Sequence, residues 1–213
     1  MTDKAQKFWD RQAKKYDEIE KQFDPVYESV FVKTRKYLRA ADNVLDFGCA
    51  TGTKTIRLAN GIKHIQGLDI SSEMIHKAIK KKETTNCKNV SFSEGTIYSK
   101  DLKKASFDKI TAFGIIQLLE DYESVIGRIY DLLKPGGLFI STTGCFKDKM
   151  AFKNALEFGA YRFMKRLAIF PLHFNMFMPA DVEKLLRDQN FQILETETIF
   201  DGITSSFLIA RKS

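Results

Sequence analysis

Cysteine is scarce in this chain. Cys49, Cys87 and Cys145 are odd in number, and none stands in a C-x-x-C pair. Such spacing supplies neither a disulfide framework nor a zinc site, and Cys49 reads as a small residue filling space rather than as a reactive thiol. No run approaches the roughly 18 uninterrupted apolar residues of a membrane-spanning helix. Met1-Thr2-Asp3-Lys4 also lacks the apolar core of a signal peptide, so the expected location is cytoplasmic. Repeats, low-complexity tracts and an interdomain linker are missing too. With 213 residues the expectation is therefore one domain, 1–213, able to bury a proper core. What the chain does have is ordinary for a globular protein: 44% hydrophobic and 29% charged residues. The net charge of +7 favours acidic partners (nucleic acid, anionic lipid or anionic metabolites) and by itself chooses none of them.

The reading turns on residues 43–55. Val44 and Leu45 form a short apolar run that ends in Asp46, and Gly48-Cys49-Ala50-Thr51-Gly52 follows as a loop of small residues. Ile56, Leu58 and Ala59 then begin a helix that Gly61 can stop. A strand, a tight turn and a helix in this order bring backbone N–H groups and a helix N-terminus up to a ligand. The dinucleotide fingerprint G-x-G-x-x-G needs glycine at 48, 50 and 53, where the chain has Gly48, Ala50 and Thr53. The phosphate loop G-x-x-x-x-G-K-S/T fits Gly48 and Lys54-Thr55 better, but it lacks the glycine before the lysine. A second acid, Asp69, closes the next apolar segment 21 positions beyond Gly48. That is close to the ~20 expected for a group that binds ribose hydroxyls. It supports an adenosine ligand without choosing between NAD and other adenosines.

Asp46-x-Gly48-x-Ala50-x-Gly52 resembles motif I of the class I S-adenosylmethionine-dependent methyltransferases, whose pattern is acid-x-Gly-x-Gly-x-Gly. Ala50 stands at the middle glycine; should that position take a positive φ, alanine costs about 1 kcal/mol. Leu133-Lys134-Pro135-Gly136-Gly137-Leu138 and the N-terminal Phe8-Trp9-Asp10-x-x-Ala13-x-x-Tyr16-Asp17 are similar to the small-molecule, ubiquinone-biosynthesis-like branch of that family. Asn/Asp-Pro-Pro-aromatic, the tetrapeptide of the family's DNA adenine and glutamine-amide enzymes, is absent.

The resemblance implies S-adenosylmethionine as cofactor, S-adenosylhomocysteine as its product, and no metal. It implies that Gly48, Cys49, Ala50 and Gly52 form a cradle, that Asp46 serves the methionine ammonium directly or through water, and that Asp69 binds ribose. Ile70 and Met74 fall beside the adenine, Gly95, Thr96 and Ile97 edge it, and Phe113 and Tyr16 lie near the methyl end. A tyrosine face suits a sulfonium through cation–π attraction. Gln117 and Leu118 would open toward the acceptor. No catalytic acid or base stands out, as expected where the leaving group is already excellent and the protein has mainly to align the reactants.

Alternating strand and helix patterns over 43–142 predict a doubly wound α/β sheet, mostly parallel and seven-stranded, with helices on both faces. The segments 191–198 and 205–211, joined through Asp201-Gly202, predict an antiparallel finish. Residues 1–40 read as a helical lid. Lys80-Lys81-Lys82 reads as a solvated helix end.

The aromatic and basic segment 146–180 matches no known pattern and is expected to be a substrate-side cap. Phe152, Leu156, Phe163 and Leu167 recur at helical spacing and predict a stripe that packs on the sheet, with Phe170 and Phe174 further along. Two other readings are a wall for the substrate and an interfacial surface approaching anionic lipid. His173 reads as structural rather than as a general base.

The expected function is methyl transfer to a small-molecule acceptor that is apolar, aromatic or anionic, with nucleic acid disfavoured as a partner and peripheral membrane contact left open. An RNA or lipid methyltransferase and a non-catalytic module binding S-adenosylmethionine or a nucleotide are the alternatives.

Overall fold

A computed structural model describes residues 3–21, 24–166 and 172–213. One seven-stranded sheet runs through it in the order β3-β2-β1-β4-β5-β7-β6. The strands are β1 (Asn43–Phe47), β2 (His64–Asp69), β3 (Val90–Glu94), β4 (Phe107–Phe113), β5 (Leu133–Gly144), β6 (Phe191–Phe200) and β7 (Thr204–Lys212). Strands β1 to β5 pair in parallel, while β7 runs antiparallel to both β5 and β6. This is the doubly wound sheet with a terminal antiparallel hairpin that the sequence pattern predicts. The turn of that hairpin contains Gly202 at φ 76°, a conformation glycine adopts without a Cβ penalty.

Two apolar layers flank the sheet. On one face α6 (Tyr122–Leu132) presents Val125, Ile126, Ile129 and Leu132, and α8 (Pro179–Asp188) presents Val182, Leu185 and Leu186, all against β4, β5 and β7. On the other, α3 (Asp24–Tyr37) lays Val30 and Phe31 over Val44, Ile140 and Phe207. Helices α4 (Thr53–Leu58) and α5 (Ser72–Thr85) complete the alternation, the latter capped by Ser71 Oγ, which accepts from the Met74 N–H at 3.1 Å.

Phe8, Trp9, Ala13 and Tyr16 recur at roughly the spacing of one helix. In the structure Phe8 and Trp9 lie on α1 (Asp3–Gln12), Tyr16 opens α2 (Tyr16–Lys21), and Ala13 sits in the turn between. The break lets Trp9 and Tyr16 meet edge to face at 6.3 Å.

The stripe expected to pack on the sheet does not. On α7 (Phe152–Arg166), Phe152 is 86% exposed, Leu156 68% and Phe163 64%, and Leu167 and Phe170 lie outside the described residues. The inward side of α7 is instead carried by Phe158, stacked on Phe146 at 4.8 Å and edge-on to Phe174 at 5.7 Å. Both faces of this helix are apolar, so periodicity alone could not choose between them.

Candidate active site

The strand order reverses between β1 and β4, and open α/β sheets bind ligands at such a switch point, outside the carboxyl ends of the strands. Three strand ends converge there: Phe47-Gly48, Asp69-Ile70 and Phe113-Gly114. They line a cavity of about 60 Å³ together with Ala50, Met74, Ile115 and Leu118, and Trp9 and Tyr16 close it from above.

The loop after β1 is built for close approach. Gly48, Ala50 and Gly52 all take positive φ, at 76°, 48° and 76°. Gly48 and Cys49 donate their N–H groups to Leu68 O at 2.8 and 3.1 Å, which ties the loop to β2. A Cβ at Gly48 would lie 2.4 Å from Ile115 Cδ1, and one at Gly52 2.5 Å from the Phe92 ring. The loop is thus a cradle that only glycine allows at its two ends, and it suits an adenosine-type ligand resting on bare backbone. Ala50 does sit in the left-handed region, the case in which alanine costs about 1 kcal/mol relative to glycine.

The two acids have separate environments. Asp69 lines the cavity, with Oδ2 accepting from Ala50 N at 3.0 Å and Oδ1 from Ser71 N at 2.9 Å. Burial pushes its carboxyl up to about 6, with the two N–H donors pulling the other way. Asp46 is 2% exposed and does not line the cavity. Its oxygens accept from Thr55 Oγ1 at 2.5 Å and Thr111 Oγ1 at 2.7 Å. Burial raises its pKa, and the two hydroxyls oppose the rise. Asp46 thus lies behind the cavity wall rather than in it. This carboxylate braces α4, through Thr55, and β4, through Thr111, against β1.

Tyr16, Gly48, Ala50, Asp69, Ile70, Met74 and Phe113 thus share one cavity. Cys49, Gly52, Gly95, Thr96 and Ile97 do not line it. Cys49 is buried, which raises its thiol pKa well above the ordinary value. Ile97 is 1% exposed in the core, and Thr96 faces solvent with its hydroxyl accepting from Tyr98 N at 3.3 Å. Gly95 instead donates its N–H to Asp69 O at 2.8 Å. Sequence reasoning missed Trp9 and Ile115 as lining residues. Trp9 stood in the quoted N-terminal segment, and its aromatic bulk one helix turn before Ala13 was the available signal.

Helices α1 and α2 are fastened by charge. Asp17 Oδ1 accepts from Thr51 Oγ1 at 2.5 Å and pairs with Lys81 at 2.6 Å. Burial alone would raise Asp17, but Lys81 and Thr51 hold it below the ordinary carboxylate value. Lys81 also donates to Thr51 and Thr53, so the lysine read as a solvated helix end is instead an anchor. Ser71 Oγ donates to Asp10 Oδ1 at 2.6 Å. Lys54, the residue a phosphate loop would need, pairs with Glu20 and sits 4.0 Å from the centre of the Tyr27 ring, outside the cavity lining.

Behind Gly114 a second cavity of about 370 Å³ opens between α1, α2, α7 and the β6–β7 hairpin. It shares Trp9, Tyr16 and Gly114 with the first, and its walls include Tyr27, Phe146, Tyr161 and Phe174. Leu118 faces the first cavity and Gln117 the second. Gln117 is fixed in place, donating to Gly114 O at 2.8 Å and accepting from Gly144 N at 3.3 Å. Burial pushes the Tyr16 hydroxyl well above its ordinary pKa, with Glu20 adding to the rise, so it stays a neutral donor. Thr142 is among the residues lining this cavity, but its Oγ1 is itself buried and has no hydrogen-bond partner among the described residues. His173 shares a 3.0 Å hydrogen bond with Asn175 and does not line the cavity.

A strand-end cradle, an acid on the neighbouring strand and aromatic helices over both are the arrangement of a nucleoside-binding α/β fold. The family profile described as methyltransferase domain matches residues 38–196, and the chain belongs to the class I S-adenosylmethionine-dependent methyltransferases. It is similar to the demethylmenaquinone methyltransferase of Lactococcus lactis subsp. lactis, at 30% identity over 59% of this chain and 54% of that protein. It is also similar to the release factor glutamine methyltransferase of Fusobacterium nucleatum subsp. nucleatum, at 26% identity over 80% of this chain and 47% of that protein. The chain spans about half the length of the curated relatives it matches. Among solved structures, Haemonchus contortus phosphoethanolamine N-methyltransferase 2 in complex with S-adenosyl-L-methionine superposes with a TM-score of 0.69. At 17% identity, over 86% of this chain and 51% of that one, this likeness concerns the fold. Among the described residues no helix is long and apolar enough to cross a membrane.

Proposed function

We propose that this protein transfers the methyl group of S-adenosylmethionine to a small acceptor with a largely apolar or aromatic body, bound in the second cavity. One observation carries the acceptor class. The chain has 34 lysines and arginines, yet among the described residues none lines that cavity, whose charged groups are Glu20 and Asp201. An anionic metabolite or a nucleic-acid backbone would find no counter-charge among these described lining residues. The missing Asn/Asp-Pro-Pro-aromatic tetrapeptide likewise disfavours a planar amide acceptor such as a glutamine side chain.

Asp69 would take the ribose hydroxyls of the cofactor, and the Gly48–Gly52 backbone its amino-acid end, with Asp46 holding that backbone in shape. Ile70 and Met74 offer apolar contact to the base. The bound cofactor supplies an electrophilic methyl on a sulfonium, already attached to a good leaving group. What remains for the chain is alignment and exclusion of water. Trp9 and Tyr16 line both cavities and so cover the junction through which the methyl must pass. Their faces suit positive charge at that point. On this reading residues 1–40 act as the lid and 146–180 as the acceptor-side cap of a single domain.

The test is a labelled-methyl transfer assay offering separate pools of polar metabolites, lipid extract and tRNA. Counts in the lipid-soluble or neutral aromatic fraction support the proposal. Counts in tRNA would replace it with an RNA enzyme, and cofactor binding without turnover in any pool would replace it with a binding module.

A further inference from the structure

We propose that the outward face of α7 docks on the surface of an anionic bilayer and sets the mouth of the second cavity at the membrane. Phe152, Leu156, Gly159 and Phe163 follow spacings of four, three and four residues, which place them on one stripe of a helix. The stripe is turned to solvent: its three large side chains are 64% to 86% exposed, and Ala155 and Ala160 beside it are exposed too. A lone exposed apolar residue, such as Val32 on α3, needs no explanation; a continuous apolar row along about 17 Å of helix does.

Two observations point to lipid rather than to a protein groove. First, the segment that carries the patch is positively charged. Lys147, Lys149 and Lys153 are all exposed, and from Phe146 to Arg166 the sequence carries six basic residues against two acidic ones. Lysine is depleted at protein–protein interfaces, whereas aromatics interleaved with lysines are what an anionic interface attracts. Second, the patch is continuous with the acceptor cavity through the thickness of a single helix. Phe158 and Tyr161, on the opposite side of α7, pack against or line the walls of that cavity. The hairpin turn beside it adds Phe200, 58% exposed, and Ala151 N donates to Gly202 O at 2.7 Å, tying this turn to the start of α7. An acceptor dissolved in the bilayer would then have a short path into the cavity. That last link rests on the acceptor proposed above; the docking itself does not.

The experiment is flotation of the full chain with large unilamellar vesicles, either of phosphatidylcholine alone or of phosphatidylcholine mixed with phosphatidylglycerol. The expected result is binding to the mixed vesicles that weakens as salt rises, and little binding to phosphatidylcholine. The Phe152→Ser/Phe163→Ser double variant should lose roughly tenfold or more of that partitioning. It should keep the wild-type affinity for S-adenosylmethionine, which serves as the control for folding. Lys147→Glu/Lys149→Glu, which leaves the apolar stripe intact, should abolish the preference for phosphatidylglycerol. Wild-type protein that stays in solution, or variants that bind as well as wild type, would overturn the proposal. So would a dimer in sedimentation that the Phe152→Ser/Phe163→Ser change dissolves, since it would assign the face to a second copy of the chain. Vesicle binding without methylation of any lipid-soluble acceptor would refute the acceptor reading while leaving the docking in place.

Discussion

The two cavities that meet at Gly114 are built by different means. The first has a floor of backbone, under the side chains that close it: three neighbouring strand ends, a loop with positive φ at alternate residues 48, 50 and 52, and one carboxylate held by two N–H groups. The second is made by side chains drawn from α1, α2, β5, α7 and a hairpin far apart in sequence. A backbone site constrains which residues can occupy it, so it leaves a short, recognisable spelling. A side-chain site can be furnished in many ways and leaves none. The first cavity should therefore break on substitutions of the smallest residues, and the second should tolerate them and respond to polarity.

The largest effect is expected at Gly48. Gly48→Val combines a positive φ with a side chain that meets Ile115, so it should destabilise the fold by roughly 2–4 kcal/mol and remove measurable cofactor binding. Thermal unfolding and calorimetry report the two losses separately.

Asp69→Ala should come next, weakening S-adenosylmethionine by about 1.5–3 kcal/mol, the range for hydrogen bonds to a charged group. The same residue predicts a pH dependence. Ribose hydroxyls donate to the ionised carboxylate, and the Asp69 pKa is pushed up to about 6, so affinity should fall as pH drops through about 6. In stability the sign is opposite. Between about pH 4 and 6 the unfolded chain gives up this proton while the folded one keeps it, so this group alone makes the unliganded fold less stable as pH rises through that window. Chemical denaturation with and without cofactor separates the two trends.

Thr142→Val keeps the shape and removes the unpartnered hydroxyl. No bond is lost, so it should shift equilibrium unfolding by less than about 1 kcal/mol and leave cofactor affinity unchanged; a loss of cofactor binding would merge the two cavities into one site. The smallest effect is a gain. Ala50→Gly relieves a left-handed alanine and should stabilise the protein by up to about 1 kcal/mol in equilibrium unfolding, partly offset by the added freedom of the unfolded chain.

This contrast also accounts for what could be read in the sequence. Asp46, Gly48, Ala50 and Gly52 lie in one stretch, and Asp69 follows at a fixed separation because the helix between two parallel strands has a fixed length to cover. The paired strands and the closing hairpin followed from period and turn residues for the same local reason. The role of Asp46 did not, because its partner Thr111 arrives from a strand 65 residues further along. Lys54 and Lys81 looked like a phosphate ligand and a solvated tail until Glu20 and Asp17 of α2 folded over them. On α7 the helical period was legible, but its direction was not, since Phe158 and Tyr161 give the opposite side an equal claim to the interior.

The central claim is that the ends of β1 and β2 hold S-adenosylmethionine rather than a triphosphate. The most direct measurement is a calorimetric titration of S-adenosylmethionine into the protein, repeated with S-adenosylhomocysteine, with ATP–Mg²⁺ as competitor, and with the Lys54→Ala variant. The account predicts one molecule bound per chain, displaced by S-adenosylhomocysteine and indifferent both to ATP–Mg²⁺ and to the loss of Lys54. Failure to bind S-adenosylmethionine, or competition by ATP–Mg²⁺ that disappears with Lys54, would contradict it.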